Sequence, residues 1–117
     1  MDSGTVTPIA TATNTAGKPI DLGRGPGQIA ITPNGKTVYV VNRQSGTVTP
    51  IATATNTPGK PIKLGRSADQ IAITPDGKTA YVLAMFPGTL TPIATATNTP
   101  GKPINVGRIP RAIAITP

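Results

Sequence analysis

A chain of 117 residues with one Phe, two Tyr, no Trp and no Cys has material for a modest core and none for a disulfide framework or a thiolate metal site. Fourteen Pro and thirteen Gly beside many Thr, Ile, Val and Ala favour short strands joined by tight turns over helices. A net charge of +7 favours anionic partners, and the absence of His excludes a Ser-His-Asp arrangement.

One unit is written almost three times at a spacing of 42 residues. Gly17, Gly59 and Gly101 keep that interval, as do Arg24, Arg66 and Arg108, and TPIATATNT recurs from Thr7, Thr49 and Thr91. A period of roughly 40 to 45 residues is the length of one four-stranded propeller blade, a unit that cannot bury its apolar faces alone. The copies divide a single unit, 1–117, into 4–45, 46–87 and a partial 88–117.

In chain order, MDSGTVTP has no charged segment followed by an apolar stretch, and no apolar run approaches the roughly 20 residues of a membrane span. The chain opens on strands C and D of a blade, runs through two full A-B-C-D sets, and closes on a lone strand A ending at Pro117. In the fully readable set, QIAITP from Gln70 to Pro75 is strand A, reversed by Pro75-Asp76-Gly77. KTAYVLAM from Lys78 to Met85 is strand B, and Phe86-Pro87-Gly88 is the next reversal. TLTPIAT from Thr89 to Thr95 is strand C, ATNTPG a loop, and KPINVG from Lys102 to Gly107 strand D. Pro58-Gly59 and Pro100-Gly101 suit the central positions of a type II turn.

Ile71, Ala72 and Ile73 make both faces of strand A apolar, so each sheet must be covered on two sides by its neighbours. Ala30, Ala72 and Ala114 suit the innermost strand, where space is smallest. Pro19, Pro61 and Pro103 fit an outer edge. Pro8, Pro50 and Pro92 conflict with a strand C paired on both sides, and a bulge or frayed end of C is the expected solution.

The run YVVN at Tyr39 to Asn42, preceded by TPNGKTV and followed by GTVTPIATATNT, resembles the YVTN β-propeller repeat family. The second copy departs from the signature at Leu83-Ala84, and Ala10, Ala52 and Ala94 stand where such repeats commonly carry aspartate. The resemblance implies an all-β fold, a β-propeller segment of about three blades: two complete, a leading C-D pair and a trailing A, as an open arc or part of a larger ring. It also implies a bacterial or archaeal protein of the secreted, cell-surface or surface-layer kind. Since strand B of the last blade is missing, further propeller blades, from the same parent chain or another copy, are the expected partners.

In such a propeller Arg24, Arg43, Arg66, Arg108 and Arg111 share the rim of D-A and B-C connections, while Lys18, Lys36, Lys60, Lys78 and Lys102 share the opposite one. Guanidinium groups offer paired donors to carboxylate, sulfate or phosphate, so the rim is a candidate site for an anionic glycan or protein. The alternative is one solvated loop arginine copied with its blade. Three aromatics leave no platform for stacking bases, which argues against nucleic acid. Against catalysis, Asp76 is matched by Asn34, Asp21 aligns with Lys63 and Asn105, and Asp69 alone sits on the arginine rim, too few oxygens for a hard cation. The expectation is a noncatalytic scaffold without metal or cofactor; the alternative is a fragment of a lactonase-like enzyme, since some related propellers resemble lactonases. Tyr39 and Tyr81 are expected to pack between blades with the hydroxyl reaching a polar partner, and Asn42 to shape the B-C turn.

Overall fold

The computed structural model describes residues 4–22, 25–64, 68–85, 88–107 and 114–115, and every regular element among them is a β-strand. The leading half-blade consists of β1 (Thr5–Val6), β2 (Ile9–Ala10), β3 (Thr15–Ala16) and β4 (Ile20–Asp21), with β1 paired to β4 and β2 to β3. The first complete blade runs β5 (Pro26–Ile31), β6 (Thr37–Asn42) and β7 (Thr47–Ala52), then an outer strand in two pieces, β8 (Thr57–Pro58) and β9 (Ile62–Lys63), both paired to β7. The second repeats it with β10 (Gln70–Ile73), β11 (Thr79–Ala84), β12 (Thr89–Ala94), β13 (Thr99–Pro100) and β14 (Ile104–Asn105). These are the expected strands A to D, antiparallel throughout. The trailing strand A lies outside the described residues apart from Ala114 and Ile115.

The A-B reversals form because a short polar side chain can close its own turn. Asn34 Oδ1 accepts from Thr32 Oγ1 at 2.8 Å and from Lys36 N–H at 2.9 Å, and Asp76 Oδ1 does the same for Thr74 and Lys78 at 2.6 and 2.9 Å. Gly35 and Gly77 supply the left-handed residue, at φ 75° and 74°. Each A-B turn is stitched to the C-D turn of its own blade: Thr53 Oγ1 donates to Gly35 O at 2.7 Å and Thr95 Oγ1 to Gly77 O at 2.6 Å.

The C-D connection differs from its sequence reading. Pro58 and Pro100 lie inside β8 and β13, and Gly17, Gly59 and Gly101 are absent from the positive-φ residues, so no type II turn forms there. The reversal comes earlier, at Thr53 to Asn56 and its equivalents, with Asn14, Asn56 and Asn98 in the left-handed region at φ 53°, 53° and 54°. Asparagine tolerates that region better than other side chains. Strand D therefore begins at Thr99 rather than Lys102.

Strand C also accommodates its proline in an unexpected way. β6 and β7 pair without a shift from Thr37↔Ala52 to Asn42↔Thr47, through Tyr39↔Pro50, so C is neither bulged nor frayed in a complete blade. The break is in strand D. Pro50 O accepts from Gly59 N–H at 2.7 Å, so the side of Pro50 without a donor faces strand D, where Gly59 to Pro61 interrupts β8 and β9. The missing ladder bond falls at a gap whose residues are exposed, so no buried acceptor is left without its donor. The bulge that does occur is in strand A, where the register shifts between Pro26 and Gln28.

The core is the seam between blades. Tyr39, Val41, Val48 and Ile62 of the first blade bury against Ala68, Ile71, Ala80, Val82 and Ile93 of the second, with Ala30 packed at the edge. On the other face of the first blade, Val40 and Ile51 pack with Ile20, Val6 and Leu22 of the half-blade. Strand B is buried on both faces, as its unbroken apolar run requires.

Candidate recognition rim and blade joint

Two segments meet on the rim predicted to carry arginine. The B-C turn of the first blade, residues 43–46, abuts the chain entering β5: Arg43 N–H donates to Gly25 O at 3.0 Å. The Arg43 side chain lies over the strand A bulge, so close that a Cβ on Gly27 would stand 2.8 Å from Nε and 3.1 Å from Cδ. Gly25, at φ +78°, is hemmed in likewise by Gln44 and Asn42. Asn42 is buried and its Oδ1 has no hydrogen-bond partner among the described residues; its carbonyl accepts from Gly46 N–H at 3.0 Å and closes the B-C turn as expected. Of the five rim arginines, Arg43 is thus placed, exposed and laid back on β5, while Arg24, Arg66, Arg108 and Arg111 lie outside the described residues.

The second blade solves the same junction with different chemistry. Asp69 replaces Gly27 and Met85 replaces Arg43, and Asp69 Oδ2 accepts from Met85 N–H at 2.8 Å while Asp69 N–H donates to Leu83 O at 2.8 Å. Asp69 is therefore a local cap. Among the described residues no group of three or more His, Cys, Asp or Glu is arranged to hold a metal ion.

The first two copies differ in runs of three or more consecutive residues only at 25–27 against 67–69 and at 41–45 against 83–87, and 109–112 differ again from 67–70 at every position. In both complete blades the described parts of these segments meet, through Arg43 and Gly25 in the first and Met85 and Asp69 in the second, while 67, 86–87 and 109–112 lie outside the described residues. The opposite turns, TATN and TP[N/D]GK, barely change.

Sequence reasoning missed two groups that hold the blades together. Tyr39 Oη of the first blade donates to Asn98 Oδ1, in the C-D turn of the second, at 2.6 Å. Burial pushes the Tyr39 hydroxyl above its ordinary value of 10.0, so the donor stays protonated. Ile71 N–H donates to Gln28 Oε1 at 3.1 Å, joining the two inner strands. The expected polar partner of the tyrosine was legible; its identity required knowing that Asn98 is left-handed and turned toward the preceding blade. Beneath this contact, a groove of about 580 Å³ between Pro50 and Pro100 is lined by Lys60, Lys63 and Asn98. One repeat earlier, about 410 Å³ is lined by Lys18, Asp21 and Asn56.

No family model matches this sequence, and no curated protein matches it. Solved structures do. Kuenenia stuttgartiensis hydrazine synthase superposes with a TM-score of 0.85 at 29% identity, over 92% of this chain and 32% of that one. The dihydro-heme d1 dehydrogenase NirN, in complex with DHE, gives 0.78 at 19% identity, over 88% and 22%. A Bacteroides fragilis NCTC 9343 protein provisionally described as a 6-phosphogluconolactonase gives 0.77 at 24% identity, over 91% and 34%. This chain spans about a third or less of each. The described blades are consecutive blades of a β-propeller, in an open rather than closed arrangement.

Proposed function

We propose that the chain is a noncatalytic propeller scaffold of the YVTN kind that its repeat resembles, presenting one variable rim to a protein or to an anionic glycan at a cell surface. The observation that carries this reading is that runs of three or more consecutive sequence changes fall in the D-A and B-C segments, while the rest of each blade differs from its copy only at scattered positions. The paired exchange of Gly27 and Arg43 for Asp69 and Met85 supports it, because the rim changes its chemistry while strand A from Gln28 and from Gln70 onward keeps the same register on strand B. Arginine at 24, 66, 108 and 111 gives the rim its sign, and planar paired donors suit sulfate, phosphate or carboxylate.

Titration with sulfated and phosphorylated glycans at two ionic strengths tests the reading. Binding is expected at low salt, weakened by added salt, and reduced by Arg66→Ala together with Arg108→Ala. No binding at low salt, or binding indifferent to that double substitution, sinks the anionic arm.

The second reading, a fragment of a lactonase-like propeller enzyme, draws on the provisional description of the Bacteroides neighbour. Incubation with aldonolactones distinguishes the two, since turnover above the buffer rate overturns the noncatalytic reading.

A further inference from the structure

The groove beneath the contact of Tyr39 with Asn98 takes its lining from both complete blades: Lys60, Pro61 and Lys63 from the interrupted strand D of the first, Asn98 and Pro100 from the second. No acid lines it, and neither ammonium has an ion-pair partner among the described residues. The Tyr39 hydroxyl is already bonded to Asn98 Oδ1 at 2.6 Å, so Nδ2, which has no acceptor among the described residues, is the end of the carboxamide left to the groove. Three donor groups therefore share one concavity. The corresponding groove one repeat earlier differs in its charge. Lys18 repeats Lys60 there, but Asp21 stands in place of Lys63, and the third copy has Asn105 at that position. The Lys-Pro-Ile before it is copied unchanged in all three repeats, so this position varies in sign on a strand whose preceding residues do not vary.

We propose that the groove between the two complete blades is a binding site for a phosphate monoester. Such an ester carries close to two negative charges and three acceptor oxygens, which answer two ammoniums and one carboxamide presented from two blades. A carboxylate brings one charge and two oxygens in a plane, and leaves one ammonium unanswered. Lysine suits the task, as a compact charge whose three donors rotate to meet a phosphate oxygen. At about 580 Å³ the groove lies within the range of small-molecule sites, roughly 300 to 1,000 Å³, and has room for the organic part of the ester beside its phosphate. That part rests on the pyrrolidine rings of Pro50, Pro61 and Pro100. An added peptide strand is the poorer occupant, because Pro58 and Pro61 deprive the outer strand of N–H groups with which to pair it. The inference goes beyond the rim reading and uses lysines of strand D rather than arginines of the D-A segments, so either can fail without the other.

The probe is phenyl phosphate, titrated into the full chain at low salt and followed by amide shifts in NMR spectra. Saturable shifts are expected at residues 59–63 and 97–98, with a single ligand per chain, because Asp21 repels the same ester from the earlier groove. Inorganic phosphate should bind about fivefold more weakly, and phenol, the same ring without the charge, should not saturate. Lys60→Ala should weaken binding about tenfold, and Lys63→Asp, which reproduces the charge of the earlier copy, about thirtyfold or more. Asn98→Asp keeps an acceptor for Tyr39 while removing the donor, and should also cost about tenfold. Arg66→Ala together with Arg108→Ala, the pair that tests the rim, should change the affinity less than about twofold. Absence of saturable shifts, shifts confined to other residues, or affinity insensitive to Lys63→Asp overturns the proposal. So do phenol binding as tightly as its phosphate ester, a second equivalent ligand per chain, and loss of binding on the double arginine substitution.

Discussion

Single residues here are best judged against their own copies 42 positions away. Tyr39 is buried and bonded to Asn98, while Tyr81, its equivalent, is half-buried with no hydroxyl partner among the described residues. Tyr39→Phe should therefore cost about 1 kcal/mol, a neutral hydrogen bond lost at the acceptor's expense, and Tyr81→Phe almost nothing. Urea unfolding of the two variants checks this, and equal losses would deny the contact its role. Asp76 offers a second comparison. The Thr74 hydroxyl, then the Lys78 backbone N–H, hold its carboxyl below the usual 3.8. A lowered folded value contributes stability above the unfolded value, and that contribution disappears as pH falls through the folded value. On acidification below the usual carboxylate value the second hairpin turn should lose amide protection at Lys78 and Thr79, while the first, built on uncharged Asn34, keeps its own. Asp76→Asn should abolish the difference, and proton NMR of the turn amides reads it.

At the scale of elements, the strands and the A-B turns were legible because their signals are local: β-branched runs bounded by Pro-Asn-Gly or Pro-Asp-Gly. The C-D turn was misassigned because Pro-Gly outweighs Thr-Asn in local turn preference. What decided the matter is tertiary: Gly59 approaches Pro50, with a Cβ falling 3.4 Å from Pro50 Cγ, while Asn56 takes the left-handed turn position. The proline in strand C was read correctly as a problem and solved in the wrong strand, because only the pairing shows which side of Pro50 faces the break in D. Gly35→Ala, at φ 75° with open space around it, should cost about 1 kcal/mol from backbone strain alone. Gly59→Ala should stay within about 0.5 kcal/mol of neutral, and thermal melts of the pair distinguish a dihedral demand from a packing one. Of the candidate site, the sharing of one rim by D-A and B-C segments followed from strand alternation, whereas the laying of Arg43 across Gly27 depends on a bulge that no residue pattern announces.

For the whole molecule, stability resides in the joint, since each sheet has two apolar faces and no interior of its own. Ile71→Ala should cost about 2 to 4 kcal/mol, and Ile29→Ala less than about 0.5 kcal/mol, although the two isoleucines occupy the same place in their blades. Equal values in denaturant titrations would show that the blades do not stack in solution as they do here.

The bond from Tyr39 to Asn98 gives the row of blades a direction. The hydroxyl belongs to the earlier sheet and the carboxamide to the later one, so a row of blades joined this way has unlike ends, as a zipper has. A two-fold pairing of chains would set tyrosine against tyrosine or asparagine against asparagine and make no bond at all. Growth that keeps the bond must be head to tail, and the geometry that ends it is a circle.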